Sequence, residues 1–189
     1  MGYLEETLIF ETNKIYFTDE AFGGDREVMM DWEDSLMSAS AAYVCEGGGD
    51  ILEIGFGMGI SAGYMHSHSI NSHTIIENHP QIITKAQEWA SGKSNVTIIT
   101  GSWYNMKNNL STYDGIFYDT FGDQDMDKFS SSLSSLVKEG AKVTWWNNEP
   151  SETNFYNIPN VTYQTLSVNP PINHYFNSSI YYLPKCQLL

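Results

Sequence analysis

From residue 51 onward, short apolar runs rich in β-formers alternate with longer stretches in which apolar residues recur at helical spacing. That order predicts βαβ units wound around a parallel sheet. The runs that predict strands are residues 50–54, 73–77, 96–100, 115–119 and 142–146. Between them, 59–69, 81–90 and 125–138 predict helices, the last from the spacing of Phe129, Leu133, Leu136 and Val137. After Pro150 the pattern changes to two further strands, 161–168 and 174–183, joined by a turn at 169–173 that holds Pro170 and Pro171. Before residue 50, a Met- and Ala-rich stretch at 27–45 predicts a helix, and the first 25 residues read as a strand or arm of uncertain path. No repeat or linker divides the chain, so a single domain over 1–189 is expected: residues 1–49 covering a site, 50–150 forming a βα core and 151–189 closing it as a hairpin.

Composition changes this picture little. Hydrophobic residues make up 41% of the 189-residue chain and charged residues 17%, a balance that suits a folded domain rather than a disordered tail. Charge is more selective. Nine Lys and Arg against 23 Asp and Glu leave a net charge of minus 14, which repels phosphate backbones and anionic membranes, so neither is an expected partner. The same field favours a cationic ligand, although an acidic balance also serves solubility. Cys45 and Cys186 lie far apart with no CxxC pattern, which points away from zinc and from a disulfide framework. With no apolar window near roughly 18 residues and no basic leader, a cytoplasmic protein, monomeric or homodimeric, is expected.

The most informative stretch is Glu53-Ile54-Gly55-Phe56-Gly57-Met58-Gly59. A strand that ends in an acid and runs into glycines at every second position brings backbone N–H groups and a helix start close to a ligand. A dinucleotide fingerprint would need glycine three residues after Gly57, where Ile60 stands. A cofactor without pyrophosphate fits better, and S-adenosylmethionine is the expected one. The next strand ends at Glu77, followed by Asn78, where a carboxylate would accept from ribose hydroxyls. Ser102 and Trp103, after the third strand, would flank an adenine, although Trp103 also fits an ordinary core position. His66, His68, His73, His79 and His174 show no paired ligand spacing, since His66 and His68 fall on different helix faces, and no metal is expected.

Four segments together resemble guanidinoacetate N-methyltransferase and the related fungal-type arginine N-methyltransferases. They are Val28-Met29-Met30-Asp31-Trp32-Glu33-Asp34-Ser35-Leu36-Met37, Leu52–Gly59, His73–Glu77 and Tyr113-Asp114-Gly115-Ile116-Phe117-Tyr118-Asp119-Thr120. The resemblance implies a Rossmann-like class I methyltransferase of α/β class: a mostly parallel seven-stranded sheet, helices on both faces and a C-terminal antiparallel hairpin. It implies methyl transfer from S-adenosylmethionine to a guanidino nitrogen, with a small guanidino compound as the expected acceptor and a protein arginine or another amine as alternatives. Carried over residue by residue, it makes Met29 and Met37 cofactor contacts within a helix, and Glu33 and Asp119 the guanidinium holders. Cofactor contacts are thus expected at Met29, Met37, Glu53, Gly55, Phe56, Gly57, Met58, Gly59, Glu77, Asn78, Ser102, Trp103 and Asp119. The hydroxyl residues with which the family holds the acceptor's carboxylate align here with Glu149 and Pro150, and Asn147 and Glu149 are the remaining expected substrate contacts.

The chemistry suits two carboxylates. A guanidinium has a pKa above about 12 and delocalised lone pairs, so one nitrogen must lose a proton before it attacks. Asp119, at the end of the fourth strand, is the expected base, and Glu33 the residue that orients the planar fork. Taken alone, Asp119 would also suit a turn cap with Thr120 and Gly122, Glu33 a solvated helix face, and the methionines core filler.

Overall fold

The computed structural model describes residues 2–122, 125–154 and 156–188. Its centre is a seven-stranded sheet in the order β6-β5-β4-β7-β8-β10-β9. Strands β4 (Asp50–Ile54), β5 (Ser72–Glu77), β6 (Val96–Thr100), β7 (Tyr113–Tyr118) and β8 (Val137–Trp145) run parallel. The hairpin of β9 (Val161–Ser167) and β10 (Ile180–Gln187) adds on antiparallel. This is the sheet expected from the sequence.

Central parallel strands are covered on both faces and so read as continuous apolar runs. On one face Leu52, Ile54, Ile76 and Ile116 pack with Phe129 of α5 (Met126–Ser132) and Trp103 of α4 (Trp103–Met106). On the other, Ile51 and Phe117 meet α1 (Asp34–Val44) through Met37, Ala41 and Val44. There Ile75 packs with Ala62 of α2 (Ile60–His66) and with Ile82 and Ala86 of α3 (Pro80–Ala90). The chain starts at the centre of the sheet, winds outward to β6 and returns beside β4 as β7. The reversal falls between β4 and β7, the place where open α/β sheets bind ligands beyond their C-terminal strand ends.

Several elements depart from the sequence reading. Residues 27–30 are not helical: β3 (Gly24–Met30) pairs antiparallel with β2 (Lys14–Asp19), which pairs with β1 (Ile9–Phe10), and only after a 3-10 turn at Asp31–Glu33 does α1 begin. Pairing won because β2 buries Ile15 and Phe17 in alternation and offers a free edge to the next segment. The helix expected at 125–138 ends at Ser132. Its serines turn hydroxyls onto their own backbone, Ser131 to Lys128 O at 2.9 Å and Ser135 to Ser132 O at 2.7 Å, and residues 137 and 138 already belong to β8. Helix α2 stops at His66, so His68 lies beyond it. The last strand begins at Ile180 rather than 174, because Asn173 Oδ1 accepts the Tyr175 and Phe176 N–H groups at 2.9 and 2.8 Å and curls the segment into a turn. Among the described residues, no helix is long and apolar enough to cross a membrane.

Candidate active site

A cavity of about 340 Å³ opens over the C-terminal ends of β4, β5 and β7 and is roofed by β3 and the chain's first residues. Its size falls within the usual range of small-molecule sites. Gly55, Phe56 and Gly57 form its floor. Gly55 has φ of 95°, and a Cβ there would lie 1.7 Å from the Asp119 carbonyl oxygen, so only glycine lets this loop cross the end of β7. At Gly57, with φ of 52°, a Cβ would meet Met29 Sδ at 2.5 Å, and Met58 N–H donates to that sulfur at 3.1 Å. The loop is therefore a cradle kept free of side chains, with a polarizable thioether set against it from β3.

Glu53 does not line the cavity. It is fully buried beneath the loop, where it accepts from the Ser61 hydroxyl and lies 2.9 Å from His73 Nε2, and Ser61 is the member of this group that reaches the cavity wall. Met58 and Gly59 also lie outside the lining, Gly59 because it caps α2 with its Cα over the Phe56 ring. Met37 packs in the core against the sheet, and Met29 reaches the cavity from a strand, not from the expected helix.

Glu77 and Asn78 line the next part of the wall. Glu77 Oε1 accepts the Asn78 and His79 N–H groups, both at 2.8 Å, and Oε2 accepts Phe56 N–H at 2.9 Å. Of a carboxylate's roughly four lone-pair sites, one on Oε2 is left for a ligand hydroxyl. Trp103 closes this end. It packs edge-on against Tyr118 and Phe129, so it is core and cavity wall at once, and its buried Nε1–H has no partner among the described residues. Gly101, rather than Ser102, lines the cavity beside it.

The far end gathers Glu33, Asp119, Trp146, Asn148 and Tyr175. Glu33, only 3% exposed, is delivered by the 3-10 turn after β3; its Oε1 accepts from Met30 N–H at 2.9 Å and from the Tyr175 hydroxyl at 2.6 Å. Burial, and after it the neighbouring charge of Asp119, push the Glu33 carboxyl up from 4.5 to about 8, against the pull of those two donors. Asp119 follows β7, with its N–H bonded to Ile54 O at 2.9 Å. Asn147 is outside the lining: its amide donates to Ser151 O at 3.1 Å and Tyr182 O at 2.9 Å. Glu149 is exposed and also outside, and its charge reaches the cavity only as a neighbour of Tyr156 in the wall. Among the described residues, no cluster of three or more His, Cys, Asp or Glu is arranged to hold a metal.

Sequence reasoning missed Tyr3, Arg26, Phe121, Tyr156 and Tyr175 in the cavity wall. All but Phe121 lie outside the recurring βα units, so no periodicity marks them. Phe121 alone carried a signal, two residues beyond Asp119 at a strand end.

Sheet order, glycine loop and strand-end acids are together those of the class I S-adenosylmethionine-dependent methyltransferase fold. The chain belongs to the guanidinoacetate N-methyltransferase family, whose model matches residues 19–145. Among its relatives, protein arginine N-methyltransferase 2 of Yarrowia lipolytica is 27% identical over 98% of this chain and 47% of its own. The Kluyveromyces lactis protein of that name is 36% identical over 64% and 32%, and that of Aspergillus oryzae 32% identical over 77% and 36%. The chain thus spans between a third and a half of the length of these curated relatives. In fold it is similar to the N-methyltransferase NodS of Bradyrhizobium japonicum, solved with S-adenosyl-L-homocysteine (TM-score 0.66, 13% identity, 84% of this chain and 88% of that one). It is similar also to spermidine synthase of Thermotoga maritima (TM-score 0.63, 11% identity, 96% and 72%).

The cofactor of this class, S-adenosylmethionine, fits the residues present. The floor is a glycine loop with no side chain of its own at Gly55 or Gly57, Glu77 keeps an open acceptor site, and the Trp103 Nε1–H, without a partner among the described residues, lies in a residue of the wall.

Proposed function

We propose that this chain methylates a guanidino nitrogen, with Glu33 holding the guanidinium and Asp119 taking its proton. The observation that carries this reading is the pair of carboxylates, drawn from segments 86 residues apart in the sequence, that line one end of the cavity, where the Asp119 charge adds to the cost of ionising Glu33. A planar cation between them offsets that cost, because it supplies N–H donors to both carboxylates.

Gly55 and Gly57 with Met29 would hold the methionyl part of the cofactor, Glu77 a ribose hydroxyl, and Gly101 and Trp103 the adenine. When bound, the cofactor supplies a methyl group on a positively charged sulfur. Glu33 orients the guanidinium, and Asp119, tied by its N–H to Ile54 O at the start of the glycine loop, accepts the proton that makes one nitrogen nucleophilic. Trp146 and Tyr175 keep water from that nitrogen with their rings.

The acceptor we favour is a small guanidino compound, in keeping with the family whose model matches. A second reading, an arginine side chain of a protein, is supported by the names of the fungal relatives. A cofactor-consumption assay on guanidinoacetate, arginine, agmatine and an arginine-rich protein separates the two. Turnover of a free guanidine supports the first, methylation of the protein alone supports the second, and turnover of simple amines without any guanidine overturns both.

A further inference from the structure

Three segments converge on Glu33, and one of them was invisible in the sequence. The connection between β9 and β10 brings Tyr175 across 142 residues of sequence to place its hydroxyl 2.6 Å from Glu33 Oε1. Trp32 Nε1 lies 3.2 Å from the same hydroxyl oxygen. An indole nitrogen only donates, so the Tyr175 oxygen accepts from Trp32 and its proton goes to Glu33. Met30 N–H, also only a donor, reaches the same Oε1 at 2.9 Å. Oε1 is therefore occupied by two donors and carries no proton of its own. Oε2 takes neither donor, and Glu33 lines the cavity.

We infer that Tyr175 is the positioning residue of the acceptor subsite: its hydroxyl locks Glu33 by Oε1, so that Oε2 faces the cavity as the single position for which a proton and the acceptor's cation compete. The inference rests on the reading that Glu33 receives the guanidinium.

The phenol is itself held in place. Asn173 folds the backbone around it, His174 Nδ1 lies 2.5 Å from Glu27 Oε2 on β3, and the Trp32 ring stacks on the Tyr175 ring at 6.1 Å between centroids. Burial and the Glu33 charge push the Tyr175 hydroxyl well above its ordinary range, so it stays a donor at any working pH. The other titratable groups facing Glu33 are Asp119 beyond β7 and Tyr181 of β10, whose own hydroxyl accepts from Asn147 N–H at 2.7 Å.

The test is Tyr175→Phe, which keeps the ring and its stacking and removes only the donor; a near-UV circular dichroism spectrum checks the fold. Loss of a hydrogen bond to a charged group predicts an acceptor KM raised about tenfold or more, with cofactor affinity unchanged. The Glu33 carboxyl, followed by carbon NMR in the cofactor-loaded protein without acceptor, is expected to titrate at higher pH than in the wild type. Tyr175→3-fluorotyrosine, a stronger donor of the same shape, is expected to move KM and titration the opposite way, which a merely structural role would not do. An unchanged Glu33 titration in both variants overturns the inference. If no guanidine is turned over by the wild-type protein, the functional reading fails instead, and the titration still decides the role of Tyr175.

Discussion

The two ends of the cavity are built by different means. The end we assign to the cofactor is built from the tips of successive strands, and what it offers is mainly backbone: the Gly55–Gly57 loop and a Glu77 carboxylate pinned by three N–H groups. At the end we assign to the acceptor the polar groups are side chains from three distant places: Glu33 after β3, Asp119 after β7 and Tyr175 before β10. A ligand common to a whole enzyme class can be held by a motif that any βα unit can carry. A particular acceptor needs charges placed by tertiary packing, and those charges carry a cost of their own. One place where the two ends meet is Gly55, which lies against the Asp119 carbonyl.

The largest effect expected from separating the ends is that of Asp119→Asn. Removing the base while keeping its shape predicts a loss in kcat of about 10²- to 10⁴-fold, read by steady-state kinetics, with cofactor affinity by calorimetry held within a few-fold. If cofactor affinity fell in step with kcat, Asp119 would belong to the cofactor end instead.

Glu33→Gln comes next. An acceptor KM raised about 10- to 100-fold is expected, since a charge-assisted contact becomes a neutral one. Stability should move the other way. The folded protein raises the Glu33 carboxyl from 4.5 to about 8, so it holds this proton more tightly than the unfolded chain does. That contribution is complete below the unfolded value and is lost as pH rises through the folded one. The glutamine variant escapes the loss, so its Tm advantage over the wild type should widen between about pH 5 and pH 8 and then level off. A variant less stable than the wild type at alkaline pH would argue against a costly carboxylate at this site.

The contrast between the ends also explains what the sequence revealed. Strands β4 to β8 were legible because each is an apolar run bounded by turn formers, and Gly55, Gly57 and Glu77 follow from their position at strand tips. The acid pair was recognisable only through the family resemblance, since Glu33 beside Asp31 and Asp34 looks like a solvated face. Residues 27–30 deceived the helical reading because a partner strand, not their own spacing, fixes their shape. Tyr175 was hidden for a related reason. Residue 174 was expected to open a strand, whereas the Asn173 turn delays β10 to Ile180 and leaves the intervening segment free to reach Glu33.

A smaller effect should be confined to the cofactor end. Gly57→Ala forces a residue with φ of 52° to carry a Cβ toward Met29 Sδ. The left-handed conformation costs about 1–2 kcal/mol, and the flexible thioether has to give way. About a tenfold loss of cofactor affinity is expected for such a cost, with the acceptor KM at saturating cofactor unchanged. A change in acceptor KM alone would show that Met29 serves both ends.

The mildest expected effect needs no mutation. If a proton and the acceptor compete at Glu33, acceptor affinity must follow the ionised fraction of a carboxyl that titrates near pH 8. The guanidinium stays charged throughout, because its own pKa lies above about 12. Below the Glu33 value, acceptor binding must therefore expel a proton, and affinity should climb with pH until the carboxyl is ionised and then flatten. Between about pH 7.5 and pH 8.5 the ionised fraction rises about threefold, and so should the acceptor's association constant. Cofactor binding, which on the proposed reading does not involve Glu33, should keep a level affinity across the same interval. Calorimetry in buffers of different ionisation enthalpy counts the released proton directly. Acceptor binding that releases none at pH 7 would mean that Glu33 is already ionised in the empty site, and that the acceptor end, like the cofactor end, is assembled before its ligand arrives.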